Sequence, residues 1–255
     1  MLKKTILISA LLSSMLMAKD TYFEFGAGML TQKMTGDITV KPGNEISEYS
    51  LYDNEGADTT NIYTYIDIQA IPILPNIKID YIAPRFQSNN LNASYTLSGK
   101  TTSEQTTGSY DLDTTQIGGY LYYDLLSFID FASLDFGVGA KYVDYDLIVK
   151  DTVTGLTIYE TSDSAIIPVV YIHPDLRYGN FILEGEGKGI SYEGDTYYEF
   201  KVGGKYLFDL PAGKIGLEAG YFYSKLETAE DSDLFNNTYI NVKTDGFYAG
   251  INYSF

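Results

Sequence analysis

FYAGINYSF, residues 247–255, closes the chain with a regular alternation of apolar and small or polar side chains. Phe247, Ile251, Tyr253 and Phe255 occupy odd-numbered positions. The positions between them are glycine, asparagine, serine and one tyrosine. Because successive side chains of a β-strand point to opposite faces, the stretch predicts a strand with one apolar face and one polar face.

The same period of two recurs in segments of about ten residues, a pattern typical of membrane β-barrels. The connections alternate between short turns and longer, polar loops, the longer ones at 34–59, 89–108, 150–156 and 228–239. We predict one all-β domain, an antiparallel up-and-down transmembrane β-barrel of about 10 strands. An even strand number would place both termini on the periplasmic side. The predicted strands are 20–33, 60–71, 76–88, 109–124, 131–149, 157–173, 179–191, 196–209, 213–227 and 240–255.

Charges on the polar face indicate which face points inward. If Glu193–Gly194 is a two-residue hairpin turn, Lys188 lies opposite Glu199 and Glu186 opposite Lys201. Opposite charges facing each other stabilise a sheet. We therefore expect the apolar face outside and a narrow, charge-lined lumen, which ten strands would leave small. The alternative is a soluble periplasmic barrel with its charges in solvent. The predicted lumen charges are Glu24, Asp67, Lys78, Asp80, Lys141, Glu184, Glu186, Lys188, Glu199, Lys201, Lys205 and Glu218.

The first 18 residues have the order of a secretory signal peptide. Lys3 and Lys4 precede an apolar run that ends near Ala18, where cleavage is expected. We predict a signal peptide at 1–18 and the barrel at 19–255. Leu16, at the −3 position, is larger than the small residue preferred there, so the exact cleavage position could shift slightly.

Composition restricts the possible partners and chemistry. The full chain has a net charge of −17, with 34 acidic and 17 basic side chains. Such a surface argues against nucleic acid as a partner, because phosphate binding needs a basic surface. The sequence has no cysteine, so disulfides, thiol chemistry and a lipid-modified cysteine are excluded.

The closing residues also match a known pattern. Phe247, Ile251, Tyr253 and Phe255 resemble the C-terminal signal that outer-membrane barrels present to the barrel-assembly machinery. The chain as a whole resembles a family of small, uncharacterised outer-membrane β-barrel proteins of Gram-negative bacteria. The resemblance implies a location in the cell outer membrane, contact with its lipid and lipopolysaccharide, and no established reaction; we expect a monomer. The resembling segments are IPILPNIKIDY (71–81), SFIDFASLDFGVGAKY (127–142), GLEAGYFY (216–223) and DGFYAGINYSF (245–255).

A catalytic role would need residues that this sequence does not place at the outer rim. Ten-stranded outer-membrane barrels include the omptin proteases, which use an Asp/His pair at the outer rim. The single histidine, His173 beside Pro174, falls near the periplasmic end of its strand, so a rim base is missing. No nucleophile–base set, GxSxG motif or His/Cys metal cluster is present, so no catalytic, cofactor or metal residue is predicted.

Two function classes stay open. The first is a non-enzymatic barrel with a structural or surface role, or a narrow small-solute channel. The alternative is an outer-membrane enzyme acting on lipid or peptide at the outer rim. The acidic loops favour a solvated surface over divalent-cation sites, because no regular ligand spacing is present. Their acidic residues are Glu45, Glu48, Asp53, Glu55, Asp58, Glu227, Glu230, Asp231 and Asp233.

Overall fold

A computed structural model describes most of the chain after its N-terminal segment. No helix in the described part is long and apolar enough to cross a membrane. The predicted signal peptide, the turn at Pro72 and the loop residues Glu45, Asp53, Glu55, Asp58, Glu230, Asp231 and Asp233 lie outside the described residues. The described residues are 22–40, 46–50, 59–69, 74–97, 100–126, 129, 131–151, 154–229, 232, 234–235 and 238–255.

The described residues form one antiparallel sheet that closes on itself, because the last strand pairs with the first. Its strands are β1 (Tyr22–Val40), β2 (Ile46–Ser50), β3 (Thr59–Gln69), β4 (Asn76–Ile82), β5 (Arg85–Leu97), β6 (Lys100–Asp124), β7 (Ala132–Asp151), β8 (Thr157–Tyr178), β9 (Phe181–Tyr192), β10 (Asp195–Leu210), β11 (Gly213–Glu227) and β12 (Thr238–Ser254).

These strands fill ten positions around the wall. Both β2 and β3 pair with β1, and both β4 and β5 pair with β6. Each couple therefore shares one position. The prediction of a closed, antiparallel ten-stranded barrel is confirmed. Tyr22 and Phe255 lie at the same end, here called the terminal end; the opposite end, with the β1–β2 and β7–β8 connections, is the loop end.

Three predicted connections are partly strand instead. β1 and β2 extend into 34–59, and β5 and β6 fill most of 89–108. β8 also continues through Pro174 to Tyr178, so only Gly179 and Asn180 form the turn before β9. A strand that extends beyond lipid needs no apolar face, so backbone pairing persists there without the alternation on which the prediction rested.

Apolar side chains cover the outside of the barrel. Phe247 and Ile166 are 71% and 69% exposed, whereas the alternate positions on their strands point into the lumen. This arrangement rules out the soluble barrel with its charges in solvent. On the adjacent strands β7 and β8, the exposed large apolar side chains end at the Tyr142–Ile166 pair, and Asp144 and Ser164 follow. We call this surface the apolar belt.

The lumen is filled differently at its two ends. Toward the terminal end it carries the charged side chains described below. Toward the loop end, inward positions become apolar and pack into one cluster, which we call the plug. Its buried members are Met34, Ile38, Phe86, Tyr110, Leu112, Tyr145, Leu147, Val149, Ala165, Phe235 and Ile240.

Candidate functional site

The hairpin between β9 and β10 sets the register of the charged lumen. Glu193 and Gly194 both have positive φ, 51° and 94°, as a two-residue type I′ turn requires. This turn places Lys188 opposite Glu199. Both the turn and the pairing agree with the sequence prediction, and so does the pair Glu186–Lys201. Lys205 lies opposite Glu218 on β11.

Lys188 is the centre of the larger ionic group, the Lys188 cluster, which lies at mid-height in the lumen. The Lys188 side chain is fully buried. Its Nζ lies 2.8 Å from Glu199 Oε1 and 2.9 Å from Glu186 Oε1, and it also bonds Asp80 of β4. Because β4 lies across the lumen from β9, this ammonium group links opposite walls. Lys78 pairs with Glu186, Lys141 with Glu199, and Lys201 lies 3.7 Å from Glu186.

The three carboxylates around Lys188 are close enough to resemble a metal site. Oxygens of Asp80, Glu186 and Glu199 lie within 4.8 Å of one another. The ammonium group of Lys188 already bonds all three. It lies where a cation would be bound, so the three carboxylates belong to an ion-pair network.

A second group, the Lys205 cluster, lies nearer the terminal end. Lys205 Nζ is 2.6 Å from Glu24 Oε1 and 3.3 Å from Glu184 Oε2. Glu218 is 3.8 Å away. Three carboxylates share one ammonium here, so hydrogen-bond donors must supply the remaining stabilisation.

Tyrosines supply those donors, and the sequence prediction did not identify them. The Tyr65 hydroxyl lies 2.6 Å from Glu24 and 2.9 Å from Glu218, so its single proton is shared between the two carboxylates, and Tyr63 donates to Glu218 at 2.6 Å. Tyr63 and Tyr65 occupy alternate positions with Asp67 on the same face of β3, so the sequence pattern could have placed both tyrosines in the lumen. Asp67, the remaining predicted lumen charge, bonds Tyr122. Every predicted lumen charge therefore lies inside the barrel, in one of the two clusters or beside Tyr122.

Glycines leave room for these rings. A Cβ at Gly26 would overlap the Tyr65 ring, and a Cβ at Gly28 would come within 2.6 Å of the Tyr63 ring. Lys78 Nζ lies 5.2 Å from the centroid of the Tyr65 ring, within cation–π range. Aromatic rings therefore separate the ionic groups and also contact them.

His173 lies in the lumen near the terminal end. Its Nδ1 is 3.1 Å from Asp135 Oδ2, and its ring stacks on Tyr171. The nearby hydroxyl of Ser133 donates to Asp175 at 2.6 Å. The histidine and this serine thus have different partners, and the pair does not form a nucleophile–base arrangement.

A cavity of about 280 Å³ occupies the terminal half of the lumen. Tyr22 and Lys214 line it at the terminal end, and Asp80 and Tyr248 line it at mid-height. The Lys188 cluster and the plug occupy the lumen beyond it with buried side chains. In the described part of the chain, the cavity is therefore lined by both charged and apolar groups, and packed side chains follow it toward the loop end.

The residues of the expected assembly signal lie on β12 and just after it. Phe247 and Ile251 point outward into the belt. Phe255 exchanges two backbone hydrogen bonds of 3.0 Å with Phe23, and their rings stack 5.6 Å apart. The closing residue therefore completes the seam between β12 and β1.

The fold matches solved outer-membrane barrels. Outer membrane protease OmpT from Escherichia coli superposes with a TM-score of 0.61 at 13% identity, over 94% of this chain and 98% of OmpT. The attachment invasion locus protein Ail of Yersinia pestis gives a TM-score of 0.38 at 8% identity, over 92% and 99% of the two chains. Neisserial surface protein A gives 0.38 at 14% identity, over 91% and 97%.

Sequence comparison adds no family. No family model matches the chain, and no curated protein does. Structures at these identities share a fold with it and no more. The chain therefore has the closed antiparallel β-barrel fold found in bacterial outer-membrane proteins.

Proposed function

We propose that this chain is an integral outer-membrane protein of a Gram-negative bacterium that catalyses no reaction and keeps its lumen closed. The observation that carries the proposal is that buried side chains fill the lumen at two heights. The ammonium of Lys188 joins opposite walls through Asp80 and Glu199, and the plug fills the space beyond. A barrel closed in this way suits a structural or surface-binding role better than a small-solute channel.

The proposed location and partners rest on the outer surface and on the closing residues. The apolar belt would contact membrane lipid and lipopolysaccharide, and we propose a monomer. Phe247, Ile251, Tyr253 and Phe255 would be read by the barrel-assembly machinery during insertion. Both termini would then face the periplasm, with the loop end outside the cell.

Single-channel recording in planar bilayers tests the closed lumen. We expect the purified protein to add no steady conductance to that of the lipid. A general porin inserted from the same detergent serves as the positive control. A large, steady conductance from the folded barrel would overturn the proposal.

The enzyme alternative can be tested separately. In the proposed orientation His173 lies at the periplasmic end, on the far side of the plug from the outer rim. We expect the reconstituted protein neither to cleave a peptide library nor to deacylate lipopolysaccharide. Turnover that is retained on purification and lost in His173→Asn would refute the non-enzymatic assignment.

A further inference from the structure

The wall of the barrel opens between β8 and β9. Their pairing runs from Tyr178–Phe181 to Val170–Gly189, with an interruption at His173 and Pro174. In the described part of the chain, β8 beyond Val170 pairs with β7 alone. Continuing the register would set Ile190 opposite Val169, but the ladder between β8 and β9 does not continue there. We call this gap the notch.

The notch begins inside the apolar belt. Ile166 on β8 points outward and is exposed, and the polar Ser164 follows it toward the loop end. Pro168 lies where the strands part, and it has no N–H to donate to a ladder. Open sheet edges are not tolerated against hydrocarbon, except where the backbone is covered or lines a cavity. A gap at this height therefore needs a covering group.

A pocket of about 320 Å³ lies behind the notch. That volume is within the usual range for small-molecule sites. Apolar side chains form nearly all of its surface, and several of them point inward, where lipid around an intact wall could not reach. Its principal lining residues are Ile167, Pro168, Ile190, Tyr197, Leu226 and Leu234.

Hydrogen bonds connect the two segments that border the pocket toward the loop end. Asp195 at the start of β10 accepts from the Ala229 backbone N–H and from the Ser232 hydroxyl, both at 2.7 Å. These bonds tie the β11–β12 connection, which carries Leu234, to the β9–β10 hairpin. The β9–β10 hairpin and the β11–β12 connection, which both border the pocket, are thus hydrogen-bonded to each other.

A shallow groove leads to the notch along the outer surface of β9. Gly185, Gly187 and Gly189 occupy three successive outward positions of this strand, because the charged residues between them point into the lumen. A Cβ at Gly187 would come within 3.0 Å of Ile172 Cγ2. The neighbouring Ile172 and Phe200 are exposed in the belt and form the sides of the groove.

We propose that the notch admits one acyl chain of a membrane lipid, which fills the apolar pocket. The pocket and groove are continuous with the lipid-facing belt, so an acyl chain reaches them without crossing water. The lining offers an acyl chain apolar contact and almost no polar partner. The chain would also cover the β8 edge that the ladder leaves open.

Photo-crosslinking tests the proposal. The full-length mature protein is reconstituted into vesicles containing a small fraction of phosphatidylethanolamine with a diazirine midway along one acyl chain. After irradiation, labelled residues are mapped by mass spectrometry. We expect label on Ile167, Ile190 and Leu226, which point inward. Label confined to outward-facing residues around the whole belt would overturn the proposal.

Two substitutions make the test specific. Ile190→Trp fills the pocket, and we expect it to abolish label at Ile167 and Leu226 while label on the distant, outward Val138 persists. Ile62→Trp, on the outer face of β3, is the matched control and should leave pocket labelling intact. Leu226→Phe is a milder filling variant that decides the question if Ile190→Trp does not fold. Unchanged pocket labelling in a folded filling variant would refute the site.

Discussion

Lys188 on β9 lies directly across from Glu199 on β10, with its Nζ 2.8 Å from Glu199 Oε1. The same Nζ bonds Asp80 on the opposite wall. One side chain therefore serves both the local hairpin and the closure of the lumen. Because it is fully buried, its removal would leave several carboxylates without their shared counter-charge.

We expect Lys188→Met to destabilise the barrel by about 3–5 kcal/mol, the usual effect of removing one partner of a buried ion pair. Urea unfolding of the refolded protein measures the change. Lys214→Met is the control, because Lys214 and its partner Asp209 are both largely exposed and such pairs contribute about 1 kcal/mol or less. Equal losses in the two variants would contradict the assigned role of Lys188.

Gly26→Val should prevent correct packing of the lumen. Its Cβ would overlap the Tyr65 ring, which holds Glu24 and Glu218. Overpacking of a tight interior costs about 1–3 kcal/mol. Ala27→Val, whose side chain points outward one residue away, is the control. Heat-modified mobility on SDS gels reports the folded fraction, and a fully folded Gly26→Val variant would show that the ring has room to move.

Phe255→Asp should reduce assembly in cells more than it reduces stability. Phe208→Asp is the matched control, because Phe208 and Phe255 are similarly exposed, at 45% and 47%. If the assembly machinery reads the closing residue, only Phe255→Asp lowers the amount of folded barrel in the outer membrane, while both variants refold alike in vitro. Equal loss in cells would argue against a signal at Phe255.

Phe235→Ala should loosen the plug. Phe235 is 1% exposed and packs against Tyr145 with ring centroids 5.5 Å apart. Truncating a buried phenylalanine typically costs about 3–5 kcal/mol. Leu156→Ala, at an exposed position in the β7–β8 connection, should have little effect. Urea midpoints measure both, and an unchanged midpoint for Phe235→Ala would show that the plug contributes no stability.

The local sequence pattern was sufficient to predict the strands that form the wall of the barrel. Period-two alternation predicted the strands that cross the belt, and the turn at Glu193–Gly194 predicted the register of β9 against β10. Where strands extend beyond the belt, as in β5 and β6, the alternation no longer marks them. For that reason the prediction ended the strand that includes β5 too early and began β6 too late.

The plug was missed although a signal for it was present. On β1 the inward positions pass from Glu24 through small residues to Leu30, Met34 and Ile38. These alternate positions already show that the inner face of β1 becomes apolar toward the loop end. Phe235 had no such signal, because it lies in a connection and reaches the plug only through the folded chain.

The sequence by itself determined the strand pattern, the outward apolar face and the hairpin partners of Lys188, because these depend on neighbours along the chain or across one turn. Only the tertiary structure decided that Asp80 joins Lys188 across the lumen and that β8 extends past its ladder with β9 to leave a notch. Asp80 meets Lys188 because pairing of β12 with β1 closes the sheet and brings β4 and β9 to opposite walls. β8 extends past β9 because the turns at Gly179–Asn180 and Glu193–Gly194 limit β9 to Phe181–Tyr192, whereas β8 begins at Thr157.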